Sequence, residues 1–257
     1  MCERDPSYGA RVQRNYLGGS PAREALLVWM ATLASLGVLE LVASGVPFLG
    51  QWIGALAVAA FLWVPQRMLE RRVLDAADAG LTLSRWRSDL LHALALSLAV
   101  LPLFVAAYLH LGAIVATLPA PLDALVAPFA APAHFSVRWP ASAEARWALF
   151  GQLGGHAAVA LSEEFFYRGY LTRLFEVQWP PRARIAGAPM GRGALLAAVL
   201  FALGHLLIPA PFRLLTFFPA LLFAWLRART GTVAGAALFH FLCNATLLLL
   251  QTSIIAR

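Results

Sequence analysis

The sequence is poor in charged residues and contains no lysine at all. Of its 257 residues, only 13% are charged, whereas 60% are hydrophobic. A soluble domain usually has about 25% charged and about 45–50% apolar residues. The composition therefore excludes an ordinary soluble globular domain and indicates an integral membrane protein.

Cysteine is also scarce. The two cysteines are Cys2, in a polar N-terminal stretch, and Cys243, inside an apolar run. This separation argues against a disulfide between them. The first 23 residues contain several arginines and no apolar run, so they do not read as a secretory signal peptide. We expect residues 1–23 to form a cytoplasmic tail.

Acidic residues are outnumbered, and the net charge is +7. The arginines lie mainly in short segments between apolar runs, which indicates a membrane-topology signal and no nucleic-acid partner. With the N-terminus inside, fifteen arginines fall on the inner side and four on the outer side. This bias predicts an inside N-terminus, and we expect the protein in a bacterial inner (cytoplasmic) membrane.

Apolar runs of about 20 residues are long enough to cross a bilayer as helices. The predicted fold is therefore an all-α, polytopic transmembrane helical bundle of about seven spans (six to eight). We place the spans near 25–45, 50–66, 89–111, 146–172, 193–209, 212–228 and 232–254. The longest outer connection, residues 118–145, is rich in proline and apolar residues, and we expect it at or in the membrane surface.

The stretch ALSEEFFYRGYL, residues 160–171, places three charges inside an apolar region. One charge at the centre of a membrane helix costs roughly 2.5–3.5 kcal/mol. Glu164 and Arg168 are four residues apart, so we expect them to pair. Glu163 is rotated by about 100° from Glu164 around the helix axis, so we expect it to face a different neighbour. Gly169 would allow another backbone segment to approach this helix closely.

Two later segments contribute polar groups at helical spacing. FALGH places Phe201 and His205 at i and i+4, and HFLCN does the same for His240 and Asn244. His156 lies about two turns before Glu163, on nearly the same face, where we expect it to line an entrance. Each segment alone is compatible with packing or interhelical hydrogen bonds. Together they supply a base and donors for an oxyanion, as amide hydrolysis needs.

These motifs resemble those of the CAAX protease and bacteriocin-processing enzyme family, also called Abi, which comprises intramembrane glutamic endopeptidases. The resemblance is carried by EExxxR at Glu163–Arg168, FxxxH at Phe201–His205 and HxxxN at His240–Asn244, over about residues 145–250. It implies an N-terminal region of spans and an outer loop at 24–144, followed by a catalytic helical core at 145–257.

The resemblance also implies roles for these residues. Glu163, assisted by His205, would activate water, and His240 with Asn244 would stabilise the oxyanion. Glu164 and Arg168 would shape and neutralise the site, and Phe201 would support it. No cofactor or metal is implied. The substrate would be a membrane protein or a lipid-anchored or C-terminally anchored protein, as in myxosortase-type members; a prenyl requirement and the oligomeric state stay open.

Three other readings remain. Glutamate and two histidines could hold zinc in a metal-dependent membrane protease, although HExxH is absent and asparagine is a poor zinc ligand. The same polar residues could instead hold helices together in a non-enzymatic scaffold or immunity partner. A proton-relaying transporter has less support, because neither an inverted repeat nor a pair of broken helices is evident.

Overall fold

The computed structural model describes residues 16–72, 74–132 and 134–256. Residues 1–15 of the predicted cytoplasmic tail, including Cys2, lie outside the described residues. The main helices are α1 Pro21–Gly45, α2 Ile53–Glu70, α3 Trp86–His110, α4 Ala143–Glu164, α5 Thr172–Gln178, α6 Arg192–Gly204, α7 Phe217–Thr230 and α8 Ala234–Ser253.

Shorter elements connect these helices. The short α-helices are Pro47–Gly50, Gly112–Val115 and Leu122–Val126, and the 3₁₀ turns are Leu17–Gly19, Ala127–Phe129, His205–Leu207 and Pro211–Thr216. Four three-residue strands form two antiparallel ribbons: β1 Phe135–Val137 pairs with β4 Ile254–Ala256, and β2 Ala183–Ile185 pairs with β3 Ala188–Met190. The predicted all-α bundle is confirmed, with these two small ribbons added at its ends.

Helix boundaries follow from local sequence. Ser20 caps α1 by accepting a hydrogen bond from the Arg23 amide at 3.3 Å, and Pro21 occupies the first turn, where its missing N–H does no harm. Ser142 caps α4 in the same way, 3.1 Å from the Ala145 amide. Gly231 ends α7 in the left-handed region, with φ of 85°.

The chain between α4 and α5 is a π-helix, Phe165–Leu171, in which all seven residues are buried. It joins α4 and α5 without a break, so one rod runs through the predicted span 146–172 and beyond it. The Thr172 hydroxyl donates to the carbonyl of Tyr167, five residues back, at 2.8 Å. π-helical turns often mark functional sites, and this one directly follows Glu163 and Glu164.

Gly169 lies in this π-helix and allows the close approach that the sequence predicted. A Cβ atom at this position would lie 3.1 Å from the carbonyl oxygen of Ala79 and 3.0 Å from the Phe165 ring. Both are tighter than ordinary van der Waals contacts, so a larger residue would force the 71–85 connection away from the π-helix.

In the described part of the chain, five helices are long and apolar enough to cross a membrane: α1, α2, α3, the segment Pro211–Thr230 and α8. The segment Arg192–Leu207 is apolar but shorter. α4 has the length to cross but carries more polar side chains. A helical membrane bundle is therefore established, while the number of seven spans stays a prediction.

Each end of the bundle gathers segments that the predicted topology assigns to one membrane face. At one end, the Val233 amide donates to the Gly80 carbonyl at 2.8 Å, and Arg85 donates to the Thr230 carbonyl at 3.1 Å. At the other end, β1 pairs with β4, which joins the 118–145 connection to the C-terminal segment. Which end is cytoplasmic stays a prediction.

Candidate active site

Glu164 and Arg168 form the predicted ion pair. The Arg168 Nη1 atom donates to Glu164 Oε1 at 3.0 Å, and both side chains are fully buried. Breaking a buried pair of this kind leaves an uncompensated charge in a low-dielectric interior, which is strongly destabilising. These two residues therefore compensate each other within one turn of helix.

Arg168 also joins two elements and is enclosed by aromatic rings. Its Nη2 atom donates to the carbonyl of Ala220 in α7 at 3.1 Å. Its guanidinium carbon lies 4.5 Å from the Phe201 ring centroid and 5.2 Å from that of Phe223, where the π-systems attract the cation. Phe201 thus packs against the charged cluster.

His240 lies between the two glutamates. Its Nδ1 atom donates to Glu164 Oε1 at 3.0 Å, and its Nε2 atom lies 3.8 Å from Glu163 Oε2. The imidazole stacks on Phe223, with centroids 4.5 Å apart and planes inclined by 14°. Because Nδ1 is held by Glu164 and the ring by Phe223, the direction of Nε2 towards Glu163 is fixed.

Glu163 differs from its neighbour in exposure and in hydrogen bonding: Glu164 is fully buried and its Oε1 atom accepts two hydrogen bonds, whereas its Oε2 atom, like that of Glu163, has no partner among the described residues. The Glu163 side chain is only 15% exposed, and its buried Oε2 atom has no hydrogen-bond partner among the described residues. The distance to His240 is too long for a direct hydrogen bond. Buried polar atoms are usually satisfied, so the two unsatisfied carboxylate oxygens indicate a partner that the described residues do not supply.

His205 lies near the cluster but does not contact Glu163. Its Nδ1 atom donates to the Phe201 carbonyl at 2.8 Å, and its ring centroid lies 4.5 Å from that of Phe201. In the described part of the structure, neither a hydrogen bond nor an ion pair joins it to a carboxylate. Since Nδ1 holds the proton in this bond, the Nε2 atom of the neutral ring is an acceptor.

Asn244 follows His240 by four residues on α8 and is partly buried. Its amide makes no hydrogen bond to any residue that the structure describes. The helical spacing places it on the same face as His240, one turn along α8. Its donors are therefore unengaged, as an oxyanion-binding group requires before substrate arrives.

A second buried network, which the sequence analysis missed, ties the start of α1 to the π-helix. Glu24 is fully buried and accepts hydrogen bonds from the Tyr170 hydroxyl at 2.7 Å and the Leu17 amide at 2.9 Å. It also pairs with Arg72. The sequence offered no signal, because Glu24 begins an apolar run and Arg72 looks like an ordinary loop arginine.

Tyr167 links the π-helix to α1 and α6. Its hydroxyl accepts a hydrogen bond from Trp29 Nε1 at 3.3 Å, and its ring makes an edge contact with Phe201 at 5.1 Å. Gly204 faces it so closely that a Cβ atom would lie 2.6 Å from the hydroxyl oxygen. The glycine immediately before His205 is therefore required by packing.

Among the described residues, no three His, Cys, Asp or Glu side chains form a group suited to a metal ion. The single described cysteine, Cys243, is free.

Residues 145–246 match the family model described as type II CAAX prenyl endopeptidase, Rce1-like. This region is an Rce1-like CAAX-protease domain. The match covers nearly the range of about 145–250 over which the motifs predicted the resemblance. Members of the family are intramembrane endopeptidases, so the chain is a membrane-embedded hydrolase of peptide bonds. Comparisons with the curated proteins and with the solved structures found no match.

The Rce1-like domain contains every predicted site residue, from Glu163 to Asn244. The structure brings four of them, Glu163, Glu164, Arg168 and His240, into one connected cluster. His205 is linked to this cluster by its hydrogen bond to Phe201, whose ring contacts Arg168. Asn244 lies one helical turn after His240 on α8. The predicted chemical roles, the metal independence and the domain boundaries at 1–23, 24–144 and 145–257 stay predictions.

Proposed function

We propose that this endopeptidase uses Glu163 to activate the attacking water. The observation that carries the proposal is that Glu163 is partly exposed and accepts no hydrogen bond from the described residues, whereas Glu164 is fully buried and already binds two donors. Glu164 makes a poorer base, because its Oε1 atom already accepts from both Arg168 and His240. A water bound to Glu163 Oε2 would replace the missing hydrogen-bond partner.

In the proposed reaction, a proton passes from this water to Glu163 as the water oxygen attacks the carbonyl carbon of the substrate peptide bond. The carbonyl oxygen becomes an oxyanion, which His240 Nε2 and the Asn244 amide stabilise by donating hydrogen bonds. The proton then passes to the leaving nitrogen as the carbon–nitrogen bond breaks. His205 assists Glu163 through its Nε2 atom, which requires a shift of the ring once substrate is bound.

The proposed oxyanion role requires His240 to carry a proton on both ring nitrogens. With Glu163, Glu164 and Arg168 ionised, the cluster carries one net negative charge. Protonated His240 would neutralise it and would have a proton on both ring nitrogens, one for Glu164 and one for the oxyanion. Arg168 and Glu164 thus hold the histidine in place without taking part in bond cleavage.

The substrate is proposed to be a membrane protein or a lipid-anchored or C-terminally anchored protein, cut near its membrane-associated segment. Glu163 lies 20 residues, or about 30 Å, after the start of α4, and 15 residues before the end of α5. A peptide bond therefore has to reach the interior of the bundle to be cut. Release of a C-terminal anchor, as in myxosortase-type members, is consistent with this depth.

A comparison of C-terminal fragments tests the proposal in cells. Membranes from cells that lack the protein are compared with membranes from cells complemented with wild type or Glu163→Gln. New C-terminal fragments that appear with wild type and disappear with Glu163→Gln, at equal protein levels, are expected. The same fragments in both complemented strains would contradict the role of Glu163.

A further inference from the structure

The C-terminal half of α4 carries a polar stripe that ends at Glu163. Gln152, His156 and Glu163 are four and seven residues apart, which places them within about 40° of one helix face. The stripe is about 16 Å long. Polar side chains in a membrane helix almost always face a bundle interior or a water-filled cavity.

The surroundings of the stripe differ on its two sides. On one side, Leu149 and Ala160 are buried. On the other, Gly151 and Gly155 are exposed, and a Cβ atom at either position would meet nothing within 4 Å. The stripe therefore lies at the edge of the bundle contact, beside open space, and not in the middle of a packed interface.

The stripe also connects to the reacting groups. His156 is partly buried and lies about two turns before Glu163 on nearly the same face of α4. At the inner end of the stripe, the Glu163 Oε2 atom is buried and without a partner. Hydrolysis consumes one water per cleavage, and that water has to cross an apolar bundle to reach Glu163.

We propose that Gln152, His156 and Glu163 line a water-filled access route, which opens at the end of the bundle where α4 begins and delivers water to Glu163. The route rests on the proposed function, since it supplies the water that Glu163 activates. His156 is a positioning residue in it, because it lies between the opening and the carboxylate.

Cysteine accessibility tests the route directly. A maleimide reacts with a thiolate, and a thiol in hydrocarbon is not ionised, so labelling reports contact with water. In a background without Cys2 and Cys243, the test variants are Gln152→Cys and His156→Cys. Their controls are Phe150→Cys and Ala158→Cys, which lie two residues away and therefore on the opposite, exposed face at nearly equal depth.

A membrane-impermeant maleimide is added from each side of sealed vesicles. Ala141→Cys, in the connection before α4, and Ala183→Cys, in β2, identify the two ends of the bundle, since both positions are exposed. We expect positions 152 and 156 to be labelled from the Ala141 side at least about tenfold faster than positions 150 and 158.

Three results would overturn the route: slow labelling at both 152 and 156, equal labelling on both faces of α4, or labelling of 156 only from the Ala183 side. Cleavage measured in parallel separates this inference from the proposed function. If positions 152 and 156 are labelled slowly but cleavage still depends on Glu163, only the access route is contradicted. If positions 152 and 156 are labelled rapidly but cleavage does not depend on Glu163, the proposed role of Glu163 is contradicted and the route is not.

Discussion

His240 donates to Glu164 through Nδ1 at 3.0 Å, whereas its Nε2 atom stands 3.8 Å from Glu163 Oε2. One imidazole therefore distinguishes two glutamates that are adjacent in sequence. It is hydrogen-bonded to the carboxylate that already pairs with Arg168, and it makes no hydrogen bond to the other. The proposed mechanism places the nucleophilic water beside this second carboxylate.

Replacing Arg168 by methionine should strongly destabilise the fold. Arg168→Met leaves the buried Glu164 charge uncompensated, which costs about 3–5 kcal/mol in a buried pair. Unfolding in mixed detergent micelles measures the change. The double variant Glu164→Gln with Arg168→Met should recover part of the loss.

The control for Arg168→Met is Arg67→Met. Arg67 pairs with Glu70 at 3.1 Å, but their side chains are 61% and 45% exposed. Water screens such a pair, so its removal should change the unfolding free energy little. Equal destabilisation by both variants would contradict the assignment of Glu164 and Arg168 as a mutually compensating buried pair.

Gly204→Ala should lower thermal stability and slow cleavage, because the new methyl group would clash with Tyr167. The added methyl group would lie 2.6 Å from the Tyr167 hydroxyl oxygen, so the π-helix or α6 has to shift. Lower thermal stability and slower cleavage are expected, and Tyr167→Phe in the same chain should restore part of both. Gly154→Ala is the matched control, because its Cβ would meet nothing within 4 Å. An equal loss in Gly154→Ala would show that replacing a helical glycine causes the defect, and would contradict the role of the contact with Tyr167.

The buried network around Glu24 predicts that the stability of the fold also depends on Arg72. Glu24 is fully buried, and Arg72→Met removes its countercharge, so a loss of about 3–5 kcal/mol in unfolding free energy is expected. The adjacent Arg71 is exposed, and Arg71→Met should have little effect. Wild-type stability of Arg72→Met would show that the network does not hold α1 against the π-helix.

Metal removal should not stop cleavage. The proposed mechanism uses a carboxylate and hydrogen-bond donors, so treatment with a strong zinc chelator should leave the cleavage rate unchanged. Elemental analysis of the purified protein provides the second measurement. Stoichiometric zinc whose removal abolishes cleavage, and whose return restores it, would favour the zinc-dependent alternative.

The local part of the site could be predicted from sequence. An i to i+4 spacing fixes which side chains share a helix face, so the Glu164–Arg168 pair and the close approach at Gly169 followed from the chain alone. The combination of three motifs also indicated the family, and the Rce1-like match at 145–246 confirms it. These inferences need only short-range geometry or a recognisable pattern.

Contacts between distant segments could not be predicted in the same way. The bond between His240 and Glu164 depends on how α8 packs against α4, and the pairing of Glu24 with Arg72 spans 48 residues. The π-helix was also missed, because its buried aromatic residues follow no periodic signal that separates it from an α-helix. Tertiary packing decides all three features.

The most direct test of the central claim compares the cleavage rates of purified wild type, Glu163→Gln and Glu163→Asp on a substrate found by fragment analysis. Glu163→Gln should slow cleavage by about 10²–10⁴-fold, the usual contribution of a general base, while its unfolding transition stays close to that of wild type. Glu163→Asp should retain part of the rate. Cleavage by Glu163→Gln at the wild-type rate would contradict the account.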